Sequence, residues 1–171
     1  MVYLRCLKFG GGQLFQVGDY IVYPMQGVGV IEAIEVKQIQ GEKQQYFIIN
    51  MLMNKMHVMI PIAKVHESRI RLITDMTTLE NVLYIFHHGL TDTTLSAKER
   101  YKINTAKLRT GNMQEGAEVV RDLMRINKNK SLNSSEKQML ESARKILISE
   151  LGLIRGITEN QAIDLLSNEV G

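Results

Sequence analysis

The sequence predicts an α+β protein in two parts, a small, strongly bent β-barrel followed by an all-α helical bundle. Three observations predict it. Short apolar runs broken by Gly and Pro fill Phe15 to about Leu72, and from Asp75 onward the apolar period lengthens to that of a helix. Charge divides the same way. Residues 15–75 carry six Lys/Arg and six Asp/Glu, whereas residues 96–155 carry thirteen Lys/Arg and seven Asp/Glu, a net +6. The predicted divisions are 1–14, a disordered extension; 15–74, the barrel; and 75–171, the basic helical domain.

The β elements follow in order. Val17-Gly18-Asp19 is a turn into the strand Tyr20–Tyr23, and Pro24 ends that strand by removing a backbone donor. Gly27-Val28-Gly29 allows a tight backbone path. Val30–Val36 is a longer strand, Gln40-Gly41-Glu42 a turn, and Gln45–Met53 the next apolar run. Met56–Ile60 is a short strand stopped by Pro61, and Arg69–Leu72 alternates as a half-buried strand.

The helices follow from period and caps. Leu79, Val82, Leu83 and Phe86 fall at i, i+3, i+4, i+7, and Gly89 stops that helix. Ser96-x-x-Glu99 is a capping box opening a helix that ends near Gly111. Asn112-x-x-Glu115 opens another, with Met113, Ala117, Val120, Leu123 and Met124 on one face. Asn127–Asn133 is a polar turn. Asn133–Glu136 starts a long helix, and Thr158-x-x-Gln161 a short last one.

Catalytic and metal chemistry find no foothold. No Walker loop is present, and Gly27-Val28-Gly29 followed by Glu32 breaks the dinucleotide-binding pattern. His57, His66, His87 and His88 lack ligand spacing, so neither a metal nor a cofactor is expected. Glu32 and Glu35, three apart on a strand, are expected on opposite faces, which excludes a paired acid/base role. No apolar run approaches the ~20 residues of a membrane span, and the lone Cys6 makes no internal disulfide, so a cytoplasmic, monomeric protein without membrane contact is expected. Two basic stripes stand out: Lys98, Lys102 and Arg109 on one helix, and Arg121, Arg125 and Lys128 on the next. Such ladders suit backbone phosphates. They equally suit solvated faces, with Glu99, Glu118 and Asp122 as intrahelical partners.

Phe15-Gln16-Val17-Gly18-Asp19-Tyr20-Ile21-Val22-Tyr23-Pro24-Met25-Gln26-Gly27 resembles the opening of the CarD/CdnL transcription regulators. Val30–Ile34 and Val58–Pro61 fit the same domain. Arg100-Tyr101-Lys102-x-Asn104, Glu118–Leu123 and Ser135-Glu136-Lys137-x-Met139-Leu140 match the family's second domain in order and spacing. The resemblance covers roughly Phe15 to Leu153. It implies a Tudor-like barrel that binds the β subunit of bacterial RNA polymerase, as in the transcription-repair coupling factor. It also implies a helical domain that contacts promoter DNA, backbone and minor groove, without reading sequence. Together these stabilise the open complex at initiation.

Carried over by position, the polymerase-facing strand is Val58, Met59, Ile60 and Pro61, with Met59 where relatives often have Arg and Lys37 keeping a second basic contact. The DNA-facing residues are Ala97, Lys98, Arg100, Lys102 and Arg109. Relatives place a Trp at the Ala97 position, which wedges into the minor groove. This chain resembles a Firmicutes-like member without it. A methyl group does not fill an opened base step as an aromatic ring does, so weaker support of DNA melting is expected. The alternative is a polymerase-binding adaptor that engages DNA weakly or not at all. An enzyme built on the barrel is a third reading without a catalytic constellation. Relatives begin with Met just before the Phe15 position. Leu14 stands there, so a TTG start codon read as Met, with a ribosome-binding sequence under Gly10–Gly12, is expected to make residues 1–13 untranslated.

Overall fold

The computed structural model describes residues 15–167, so the predicted extension 1–14 lies outside the described residues. The chain divides into two compact units between Ile73 and Thr74. The first contains β1 (Tyr20–Tyr23), β2 (Gly27–Ile39), β3 (Glu42–Met51), β4 (His57–Pro61), a 3-10 turn (Ile62–Ser68) and β5 (Arg71–Leu72). The second contains α1 (Met76–His88), α2 (Ala97–Thr110), α3 (Met113–Asn129), α4 (Ser134–Arg155) and α5 (Glu159–Ser167). The α+β architecture predicted from the sequence is the one observed.

The five strands form one antiparallel sheet in the order β4-β3-β2-β1-β5. Ile21, Ile31, Phe47, Ile49, Met51 and Ile60 line its inner face, and Ile62 and Ile70 close over them from the 3-10 turn and its exit. Gly29 is required by close approach, because a Cβ there would lie 2.8 Å from Ile49 Cγ2. Pro24-Met25 turns β1 into β2, with Gln26 N donating to Tyr23 O at 2.9 Å and Met25 at φ 64. That is the position of a type II turn usually given to Gly. β2 already begins at Gly27, and a register shift lies between Ile31 and Ala33, so Glu32 is an extra, bulged residue. The last predicted strand is shorter than expected: Arg69 sits at φ 56, and pairing starts only at Arg71.

The helix starts follow their caps. Asp75 accepts from Thr78 N at 2.7 Å. Ser96 and Asn133 head full capping boxes with Glu99 and Glu136. Asn112 accepts from Glu115 N at 3.1 Å, and Thr158 Oγ1 accepts from Gln161 N at 3.3 Å. α3 runs on to Asn129, further than the predicted turn at Asn127, and packs against α1, α2 and α4. Its position demands two apolar faces. Met113, Ala117 and Val120 join α1, α4 and α5, while Val119, Leu123 and Ile126 pack with Leu132. Among the described residues no helix is long and apolar enough to cross a membrane.

The caps also set the acid response of the helical unit. Hydrogen bonds from Thr78 hold Asp75, and hydrogen bonds from Ser96 hold Glu99, below the usual carboxylate range. Burial pushes Glu118 up, but hydrogen bonds from Lys107 and Gln114, with the charges of Lys107 and Arg121, leave it lowered overall. A carboxyl lowered by folding contributes stability above its unfolded value and loses it as pH falls through the folded one. Stability should therefore decline as pH drops below about 4.3. Glu118→Gln should make that decline shallower and cost about 1 kcal/mol at neutral pH. Urea titrations of both proteins across pH 7 to pH 3, roughly the span of carboxylate titration, check this.

Candidate protein and nucleic-acid interfaces

β4 is an edge strand, and its residues alternate across the sheet. Met59 points outward and is 49% exposed, opposite Ile48, which in turn pairs with Ala33. Pro61 stands opposite Tyr46, which pairs with Glu35. Lys37, two residues beyond Glu35 on β2, shares that outer face and forms an ion pair with Glu35. Met59, Pro61 and Lys37 thus lie on one surface. Val58 and Ile60 do not: Ile60 is 5% exposed in the core, and Val58 packs against it. Of the expected docking set these two turn their side chains to the inner face, and their backbone borders the sheet edge, which among the described residues carries no further strand.

The bulge alters a second expectation. Glu32 and Glu35 were expected on opposite faces, but the extra residue puts both on the outer one. Glu32 accepts from Asn50 Nδ2 at 2.8 Å and lies 3.0 Å from His57 Nε2. Glu35 is taken by Lys37. The two carboxylates serve different partners.

In the helical unit the first basic stripe faces solvent. Lys98, Lys102 and Arg109 are exposed on α2, with exposed Tyr101 and half-buried Thr105 along one border. Ala97 is the first helical residue, directly after the Ser96 cap, and is half-buried. Arg100 turns inward instead. Its Nη2 lies 2.8 Å from Glu136 Oε1, its Nη1 donates to Leu95 O at 2.7 Å, and Glu136 is 1% exposed. Its guanidinium serves packing between α2 and α4.

The second stripe is not a surface ladder. Arg121, 5% exposed, donates to Ile85 O and Leu90 O and pairs with Asp122. Arg125 donates to His87 O and Gly89 O. Both clamp the end of α1, and Lys128 alone of the three is exposed. The acids serve helix partners only in part: Asp122 pairs with Arg121 of its own helix and also accepts from Thr91, Glu118 accepts from Gln114 of its own helix and from Lys107 of α2, and Glu99 closes its capping box.

Among the described residues no group of three or more His, Cys, Asp and Glu is placed to hold a metal. His88 lies tilted against Tyr84 with centroids 4.5 Å apart, and His87 meets the Phe86 ring edge-on at 5.2 Å. The candidate site is a pair of surfaces: an edge strand whose apolar outer residue shares a sheet face with a Lys, and a helix with three outward cations.

Comparison with known proteins matches this division. The CarD-like/TRCF RID domain model matches residues 15–74, and the model of the CarD C-terminal domain matches residues 81–167. A Bacillus subtilis (strain 168) protein named "Putative transcription factor YdeB" is 57% identical over 148 residues, 86% of this chain and 97% of that one. A solution structure of the N-terminal domain of Myxococcus xanthus CarD is 38% identical over 33% of this chain and 75% of that one, with a TM-score of 0.29. With both domains matched in order and a close relative spanning nearly its whole length, the chain belongs to the CarD family of RNA polymerase-associated transcription regulators.

Proposed function

We propose that the first unit docks on the β subunit of RNA polymerase through the free edge of β4 and the outer face bearing Met59, Pro61 and Lys37. The second unit then touches promoter DNA through Lys98, Lys102 and Arg109, contacting the backbone without reading sequence and tuning open-complex stability. The observation that carries this reading is the split of exposed groups. Among the described residues the neutral unit offers an unpaired strand edge, which another chain can extend. The basic unit offers three outward cations on one helix face, which suit phosphates. Ala97 favours a second reading, an adaptor that holds polymerase and engages DNA weakly, because it supplies no ring to fill a base step.

One experiment separates them: polymerase retention and open-complex lifetime on a single promoter, with four proteins. Met59→Glu should lower retention about tenfold, the scale of burying an unpaired charge at a contact. Lys102→Ala should keep retention and lower the salt slope of DNA binding by about 0.9. Ala97→Trp should lengthen the open-complex lifetime over wild type. Unchanged retention for Met59→Glu would sink the docking face, and a salt slope indifferent to Lys102 would leave the adaptor.

A further inference from the structure

Tyr101 stands on α2 at the border of the outward cations, 43% exposed. Lys98, three residues before it, is its neighbour on the helix surface, and Lys102 and Arg109 continue the exposed stripe. Among the described residues none of these three cations is engaged in an ion pair. An exposed apolar residue needs no explanation by itself; the setting of this one does. α1 shows the contrast: Tyr84 is 66% exposed, lies against His88, and has no Lys or Arg anywhere on its helix.

The backbone under Tyr101 is tied down around its own turn. Ser96 and Glu99 close the capping box, Arg100 joins the helix to buried Glu136, and Thr105 Oγ1 donates to Tyr101 O at 2.7 Å. A tyrosine on such a backbone has only two side-chain torsions to settle on contact. Helical side chains lean toward the N-terminus and cover the turn before their own Cα. Tyr101 is thereby directed over the turn of Ala97 and Lys98, and Ala97, with a single methyl group, leaves that turn open. The ring that Ala97 does not supply comes from one turn further along the helix. Cations call for phosphates, and an aromatic face beside them calls for a flat, uncharged partner attached to those phosphates. A base inside a duplex has both faces covered by its neighbours. An unpaired base offers one, whatever its sequence.

We propose that Tyr101 stacks on an unpaired base of opened DNA while Lys98 and Lys102 hold the adjoining phosphates, so that α2 prefers melted to paired DNA. The proposal rests on the DNA contact inferred above and adds the group that tells open from closed strands. The full chain alone is titrated with two DNAs of matched sequence, one fully paired and one with a short mismatched bubble carrying a fluorescent adenine analogue among its unpaired bases. Wild type should bind the bubble about tenfold more tightly, the scale of one stacked base, and quench the analogue. Tyr101→Leu, apolar but without a ring, should lose the preference and the quenching while keeping the salt slope. Tyr101→Phe should keep both, and Tyr84→Ala should behave as wild type. A preference unchanged in Tyr101→Leu, or lost equally in Tyr101→Phe, would overturn the proposal and leave the phosphate contacts standing. Wild type that binds neither DNA in a salt-dependent way would overturn the DNA contact along with it.

Discussion

Arg100→Ala is expected to destabilise the helical unit by about 3–5 kcal/mol, because it leaves a buried carboxylate without its cation. Glu136 is 1% exposed, and its carboxylate is held by Arg100 Nε at 3.0 Å and Nη2 at 2.8 Å. The same arginine anchors Leu95 O, so the chain entering α2 loosens too. Urea unfolding of the full chain followed by helical circular dichroism measures the loss. The double variant Arg100→Met with Glu136→Leu separates ion pairing from packing. Removing both charges together should bring stability back to within about 1–2 kcal/mol of wild type. It also tests where Arg100 acts. With the guanidinium spent inside the bundle, the double variant should keep the wild-type salt slope of DNA binding. A slope lowered by about 0.9, one phosphate contact, would place Arg100 on DNA.

Arg100 shows where sequence reading stops. Ser96, Asn112, Asn133 and Thr158 were legible as helix starts because a cap is a local arrangement of a few neighbouring residues. The change of period near Asp75 was legible for the same reason. Burial of a cation is not local. Lys98, Lys102 and Arg109 recur at helical spacing just as Arg121, Arg125 and Lys128 do, yet the first set faces water while two of the second clamp α1. The difference lies in what packs over them: the end of α1 closes over Arg121 and Arg125, a long-range contact that no local pattern in α3 announces. α2 turns chiefly Asn104 and Leu108 inward. In the barrel, Val58–Pro61 was read as one docking block, although a strand sends alternate residues to opposite faces and so assigns Ile60 to the core. The Glu32 bulge had no signature in its own strand, because a bulge is defined by the register of the partner.

Gly89→Ala and Gly116→Ala should shift stability in opposite directions, although both make the same chemical change in one unit. Gly89 reads as a helix stop, yet its backbone, at φ −67 and ψ 155, is open to any residue. The constraint comes from α3. A Cβ at Gly89 would lie 2.1 Å from Arg121 Nη1 and 2.6 Å from Ile85 O. Arg121 is 5% exposed and bonded to Ile85 O, Leu90 O and Asp122, so its guanidinium has little room to retreat. The carbonyl is backbone and also accepts from Gly89 N at 2.8 Å. Overpacking together with the loss of a charged hydrogen bond should cost about 3–5 kcal/mol. Gly116 lies within α3, and a Cβ added there would meet nothing within 4 Å. Alanine there removes only the helix penalty of glycine and should stabilise by about 0.5–1 kcal/mol. Thermal and urea unfolding of the two variants give the signs directly. A neutral Gly89→Ala would mean that Arg121 can leave the α1 carbonyls freely.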